Sequence, residues 1–223
     1  MNNLSLTTAE FERLLKVFGW LLGGVCLIVF LIQWHFLHIS ISSALWKAFS
    51  ISLGLCICLF GVFTRLAWRW RRLAKWMNRP LVHGTWQGEL KSDFGAVDGE
   101  RLVVPIFFVI KQTYLTLSIQ SFTERQEGES RLEALLRSSK TDVTRLCYVF
   151  ELRKIFSGAH SITSGAGELK LAGDQLSLTG TYWTNTPTHG DIALTLVSRD
   201  CEGISSYQEA KKQLDKKSSH EAC

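Results

Sequence analysis

The segment Gly180-Thr-Tyr-Trp-Thr-Asn-Thr-Pro-Thr-His-Gly190 concentrates two aromatic rings, four threonines and an asparagine around a turn. Aromatic faces stack on nucleobases, at about 1–3 kcal/mol per base. Threonine and asparagine bond phosphate oxygens or base edges without carrying charge. Tyr182, Thr184, Asn185 and Thr188 are therefore candidates to hold a small nucleotide. The same composition also describes a polar hairpin with Tyr182 in a core and Trp183 outside it. Trp86, in Gly84-Thr-Trp-Gln-Gly88, reads first as a core anchor. Tyr148 and Phe150 share one face of their strand and Arg153 takes the other. Arg153 and Lys154 can supply charge to an anion or simply solvate a strand end.

Catalytic chemistry is not expected. The chain has no GxSxG, P-loop, HExxH or well-placed GxGxxG. His83, His160 and His189 lie on separate strands or loops, and Glu89 and Glu151 are isolated acids. No cysteine and histidine set has zinc spacing. The reading is a non-enzyme with no metal site and no cofactor. Its six cysteines are scattered, three of them (Cys26, Cys56, Cys58) in apolar runs, which fits reduced thiols.

The elements that position these residues follow from periodicity. After Pro80 the pattern has period two. Leu115, Leu117 and Ile119 alternate with Thr116, Ser118 and Gln120, and similar alternation recurs at Leu176/Leu178 and Ile192/Leu194/Leu196. Eight strands are expected at 85–91, 102–111, 114–121, 130–137, 145–154, 165–171, 175–183 and 189–197. Short polar links such as Lys111-Gln112-Thr113 suit hairpins. Sequential antiparallel strands of this number predict an all-β, eight-stranded, up-and-down barrel, whose closure removes unpaired edges. Such a barrel is filled by side chains or holds one small ligand. Residues 103–110 are apolar on both faces, so one side is expected to meet lipid, a helix or another subunit. Pro105 within them implies an edge, a strand start or a bulge. A short amphipathic helix is expected over 204–217, with loose final residues.

The first third is of another kind. No Lys, Arg, Asp or Glu occurs from Val17 to Trp46. As a helix, residues 17–34 rise about 27 Å, near the thickness of a bilayer core. Residues 48–63 form a second, weaker apolar run, and a helix over 44–68 would span. A signal peptide is disfavoured by this second run and by the lack of a convincing cleavage site. The chain thus reads as a membrane protein: two N-terminal transmembrane helices forming a hairpin (1–79), a barrel (80–200) and a tail (201–223).

Charge supports this division. The 223 residues carry a net +5, which taken alone hints at nucleic acid. Residues 1–79 hold nine Lys/Arg against two Asp/Glu, residues 80–200 hold twelve against fourteen, and residues 201–223 balance at four each. The excess is a membrane-flanking run, Arg65, Arg69, Arg71, Arg72, Lys75 and Arg79, with no acid until Glu89. It sets topology and meets anionic lipid rather than a DNA or RNA polymer. Both termini and the barrel are expected in the cytoplasm. Six of the eight tryptophans lie in this third, and Trp34, Trp46, Trp68 and Trp70 fall where interfacial belts belong. Gly19-x-x-x-Gly23 is a weak helix-packing signal.

In order along the chain, the two spans, the basic exit, Gly84-Thr-Trp-x-Gly88, Val109-Ile-Lys-Gln112, Gly165-x-Gly-x-Leu-x-Leu171 and Gly180-x-Tyr-Trp-Thr-Asn185…Gly190-x-Ile192 resemble one family. It is the two-transmembrane, β-strand-rich (S-2TMBeta) effector of bacterial CBASS antiphage systems. The resemblance implies a minimal eight-stranded barrel on the cytosolic side of the inner membrane. It implies that the barrel binds a cyclic oligonucleotide second messenger, with a cyclic dinucleotide expected, made by a nearby nucleotidyltransferase. The effector then assembles as a homo-oligomer, disrupts the lipid bilayer and aborts infection. Carried onto this chain, it marks Trp86, Tyr148, Tyr182, Thr184 and Asn185 as pocket residues. Arg153 and Thr188 are added on chemistry alone. The chain departs from the family at Thr186-Pro187, where the family tends to place an arginine. The alternatives are a membrane-tethered barrel that binds lipid and a filled barrel that binds only protein.

Overall fold

A computed structural model of the chain describes residues 5–36, 40–66, 70, 77, 79–97, 100–138, 140–154, 162–186 and 188–221. It divides into two compact units, Leu6–Arg79 and Pro80–Cys223, with Ser5 belonging to the second.

The first unit contains α1 (Thr8–Phe36) and α2 (Ile41–Arg65). Helix α1 starts nine residues before the apolar run. Thr7 and Glu10 form a capping box: the Glu10 amide donates to the Thr7 hydroxyl at 3.3 Å, and the Thr7 amide donates to the Glu10 carboxylate at 2.9 Å. Arg79 pairs with the same carboxylate at 3.0 Å and ties the end of the unit to its beginning. Helix α2 turns a stripe of small residues inward, Ala44, Ala48, Ser52 and Cys56, one turn apart. Phe18 of α1 meets Phe60 and Phe63 of α2 edge-on, with ring centres 5.1 and 5.6 Å apart. Both helices are long and apolar enough to cross a membrane. Of the expected interfacial tryptophans, Trp34, Trp46 and Trp70 are exposed, and Trp68 lies outside the described residues.

The second unit is a closed antiparallel barrel whose eight strands run in chain order. They are β1 (Gly84–Val97), β2 (Glu100–Gln112), β3 (Leu117–Phe122), β4 (Gln126–Arg137), β5 (Thr144–Lys154), β6 (Thr163–Leu171), β7 (Ser177–Thr184) and β8 (His189–Ser198). Each pairs with the next, and β8 closes on β1. Three strands depart from the expected bounds by more than two residues. Strand β1 runs on to Val97, six residues past its expected end, where it pairs with Glu100 of β2. Strand β3 begins at Leu117 and not at Tyr114, because the Thr113 hydroxyl accepts the amides of Leu115 (3.2 Å) and Thr116 (2.9 Å) and folds that stretch into a turn. Strand β4 begins four residues early, and a bulge between Ser130 and Leu132 interrupts its alternation.

The inward residues of the strands form one core that includes Trp86, Phe108, Ile110, Leu146, Leu169, Leu178 and Leu194. Pro105 pairs with Glu89 of β1, whereas β2–β3 pairing starts only at Phe107. Its missing amide therefore falls on a stretch of β2 with one neighbour, the edge position expected of it. The outer face of β2 meets a helix of its own chain. Phe107, Val109 and Phe122 pack against Cys201, Ile204 and Ala210, and Phe107 meets Tyr207 edge-on at 5.4 Å. That helix, α3 (Tyr207–Glu221), starts later and runs further than the expected 204–217. A second capping box explains its start: Ser206 accepts the Glu209 amide at 3.3 Å, and Glu209 accepts the Ser205 amide at 2.7 Å. Residues 201–210 thus cover part of the barrel wall.

Candidate functional site: a tyrosine-lined cavity at the barrel mouth

The connections after β1, β3, β5 and β7 share one end of the barrel, the mouth. Beneath it lies a cavity of about 50 Å³, lined by Leu90, Ile106, Phe108, Ser121, Thr123, Gln126, Tyr148, Phe150, Leu152, Tyr182 and Ile192. The wall is mostly apolar, with polar atoms from Ser121, Thr123, Gln126 and the two phenols.

Register places the two tyrosines. Tyr148 (β5) pairs with Gly167 (β6), Gly167 with Tyr182 (β7), Tyr182 with Gly190 (β8), and Gly190 with Ser92 (β1). Rings and glycines alternate around the wall at one level. The ring requires the glycine at Gly167, and at Gly190 the main-chain carbonyl of Lys91, 2.0 Å from where a Cβ would lie, requires it together with the ring. A Cβ at Gly167 would lie 2.6 Å from Cζ and Oη of Tyr148, and one at Gly190 would lie 2.8 Å from a Tyr182 ring carbon. Gly165, opposite Phe150, repeats the device.

Burial pushes the Tyr148 phenol far above its ordinary range, with the neighbouring Tyr182 adding to the effect. Burial also raises Tyr182, opposed by a hydrogen bond with Ser92 and reinforced by the charges of Asp93 and Asp191. Both phenols are neutral O–H donors at physiological pH. They can donate to a phosphate or a base acceptor without bringing charge into the barrel.

Next to Tyr148 in register stands Glu133, a nearly buried carboxyl inside the wall. The Ser130 hydroxyl donates to it while accepting the Ile119 amide at 2.8 Å. Burial raises its pKa, the Ser130 bond lowers it, and Glu129 raises it further.

The remaining sequence candidates do not converge on the cavity. Trp86 is fully buried in the core away from the lining, and its indole N–H donates to the Val82 carbonyl at 2.9 Å. Thr184 and Thr188 bond within their own turn, and Asn185 bonds to β6. The Thr184 hydroxyl meets that of Thr188 at 2.5 Å and that of Thr186 at 2.9 Å. Asn185 extends the β6–β7 pairing: its amide donates to the Ser164 carbonyl (2.8 Å), and its Oδ1 accepts the Ser164 amide (3.1 Å). His189 fastens this hairpin to β1, with Nδ1 2.7 Å from Asp93. Arg153 is exposed and points outward, beside Glu127 in register. It lines a separate polar groove on the outer wall with Arg131, Glu151 and Ser205.

Sequence reasoning did not single out Ser121 and Gln126, which line the cavity, or Ser92 and Glu133, which stand beside its two tyrosines. The alternation Leu132/Ala134/Leu136 even points the wrong way, because Glu133 and Leu135 are the residues that turn inward. Isolated serine or glutamine on an inward face gives no signal in one strand. It acquires meaning only from the strands beside it.

The chain is similar to CD-NTase-associated protein 15 of Staphylococcus schleiferi. The two are 21% identical over 192 residues, covering 83% of this chain and 96% of that protein. A match of that length takes in α2 and most of the barrel wherever it begins. No protein-family model matches the chain.

Proposed function

We propose that this chain is a membrane-anchored effector of a CBASS antiphage system. Its barrel is the receptor for a cyclic oligonucleotide, best a cyclic dinucleotide, and its helices are the lethal part. The observation that carries the reading is the match, over 83% of the chain, to a CD-NTase-associated protein in a chain that joins two apolar helices to a closed barrel. The site adds two buried, neutral phenols and the Ser121, Thr123 and Gln126 side chains below an open mouth. Nothing in this arrangement calls for catalysis, and the protein acts as a binder.

In this reading the helices sit in the bacterial inner membrane, with both termini and the barrel in the cytoplasm as the basic run after α2 directs. Ligand binding favours a homo-oligomer that disrupts the bilayer. The ligand does so only by binding the assembled state more tightly than the resting one. A cavity of about 50 Å³ has room for a few waters. A dinucleotide must therefore lie across the mouth or move the Tyr148 and Phe150 rings.

The test is calorimetry of the full chain in lipid nanodiscs against a panel of cyclic dinucleotides. Saturable binding to one of them is expected, and no binding across the panel overturns the reading. The apolar wall favours one second reading, a receptor for an apolar lipid chain. Lipid co-purifying with the barrel, in the absence of nucleotide affinity, would select it.

A further inference from the structure

The barrel's other end is closed by the segment that leads in from the helices. Residues 80–83 belong to neither helix nor strand. Yet all their inner main-chain polar groups, from the Pro80 carbonyl to the His83 carbonyl, are bonded by side chains of the barrel unit. The amides of Val82 and His83 both donate to Oε1 of Gln112, at 2.8 and 3.1 Å, and Nε2 of Gln112 donates to the Pro80 carbonyl at 3.0 Å. Arg199 donates to the carbonyls of Leu81 (3.0 Å) and His83 (2.8 Å). The Leu81 amide reaches Oε1 of Gln175 at 3.4 Å, and the Trp86 indole takes the Val82 carbonyl. Arg199 also lies over the Trp86 ring at 5.8 Å.

Main-chain polar groups in so embedded a segment must be paired, and in proteins most such bonds run to other main chain. Here four side chains, from β1, β2, the β6–β7 turn and the end of β8, do it instead. Val82 is fully buried in the same core as the cavity wall. The route between them is short. Tyr148 packs edge-on against Phe108 at 5.8 Å, and Phe108 is the register partner of Trp86. Rings moved at the mouth press on the residue that holds Val82.

We propose that Trp86, Gln112 and Arg199 form a clasp that holds the connector in a resting position, and that occupancy of the cavity releases it. The release half rests on the receptor reading above. The holding half does not. A clasp of side-chain bonds suits a switch because loosening it leaves every barrel strand paired.

The test uses the full chain in a bacterial host with no nucleotide cyclase. Trp86→Phe removes the indole donor together with part of the ring volume, and Gln112→Leu removes three bonds at similar volume. Both are expected to raise hydrogen exchange at the 81–83 amides about tenfold or more while β-strand amides stay protected. Both are also expected to admit a membrane-impermeant dye that wild type excludes. Freed connector amides with wild-type dye exclusion overturn the proposal, as does unchanged exchange. Should Gln112→Leu unfold the barrel, Arg199→Lys, which keeps the charge, is read by the same criteria. In nanodiscs, any cyclic dinucleotide that binds must raise exchange at 81–83 in wild type, and full protection at saturation overturns release. If none binds, the receptor reading fails while the variants still decide whether the clasp holds.

Discussion

Tyr148 and Tyr182 face into the barrel at one level, on strands separated by β6, and the residue between them in register is Gly167. The absent side chain at Gly167 is what gives the Tyr148 ring its place. A methyl there would lie 2.6 Å from Cζ and Oη of the ring. Gly167→Ala is therefore expected to cost about 1–3 kcal/mol by overpacking. The cost should shrink in a Tyr148→Ala background, and denaturant melts of the four proteins measure the difference. Fully additive effects would show that ring and glycine do not compete for the same space.

Tyr182 separates support of the wall from recognition. Tyr182→Ala empties a core position, and such truncations cost about 3–5 kcal/mol, so lost binding would be ambiguous. Tyr182→Phe keeps the ring and removes the hydrogen bond with Ser92, worth about 0.5–1.5 kcal/mol. Its barrel should stay folded, with cyclic-dinucleotide affinity about tenfold lower if the phenol donates to ligand. Unchanged affinity in calorimetry would move the contact to another group.

Glu133 makes stability depend on pH. Burial raises its pKa in the folded chain above the ordinary 4.5. The folded state thus holds its proton more tightly than the unfolded one. The stabilisation is complete below 4.5 and is lost as pH rises through the raised native value. Glu133→Gln carries no such charge, so the variant should gain on wild type as pH climbs through that window and hold a constant difference above it. Thermal melts at stepped pH check this, and parallel curves would mean that the carboxyl is solvated.

Helix α3 is expected to matter for solubility. Deleting residues 201–223 uncovers Phe107, Val109 and Phe122 on the outside of β2. Light scattering of the shortened chain should show association absent from the full chain. A monodisperse product of unchanged melting temperature would mean that the cover is dispensable.

Much of the architecture was legible in the sequence because its causes are local. Period-two alternation marks strands whichever strands lie beside them, and eight such runs with short links leave little choice but sequential closure. Charge-free apolar runs marked both helices. The start of α1 was missed because Thr7 and Glu10 look like ordinary polar residues until the capping box joins them. The doubly apolar stretch of β2 announced that something covers it, and only the fold showed the cover to be α3.

The site was legible in part, and the missing part has one cause. Tyr148, marked by the family resemblance, and Tyr182, marked also by the composition of its hairpin, are the two candidates that line the cavity. Trp86 looks equally suitable, yet it lies deeper in the core behind the cavity-lining Phe108, its register partner, with its indole bonded to the connector. Thr184, Asn185 and Thr188 have the chemistry for a phosphate, and that chemistry is engaged within the turn and by Ser164 of β6. Arg153 is one residue out of phase with the cavity. The bulge at Ser130–Leu132 reverses the apparent inside of β4 and brings Glu133 in. By itself the sequence determined the number and kind of elements, since periodicity and charge act over a few residues. Which side chains meet in the cavity was decided only by tertiary structure, because closing the barrel fixes every register at once, and register depends on residues far apart along the chain.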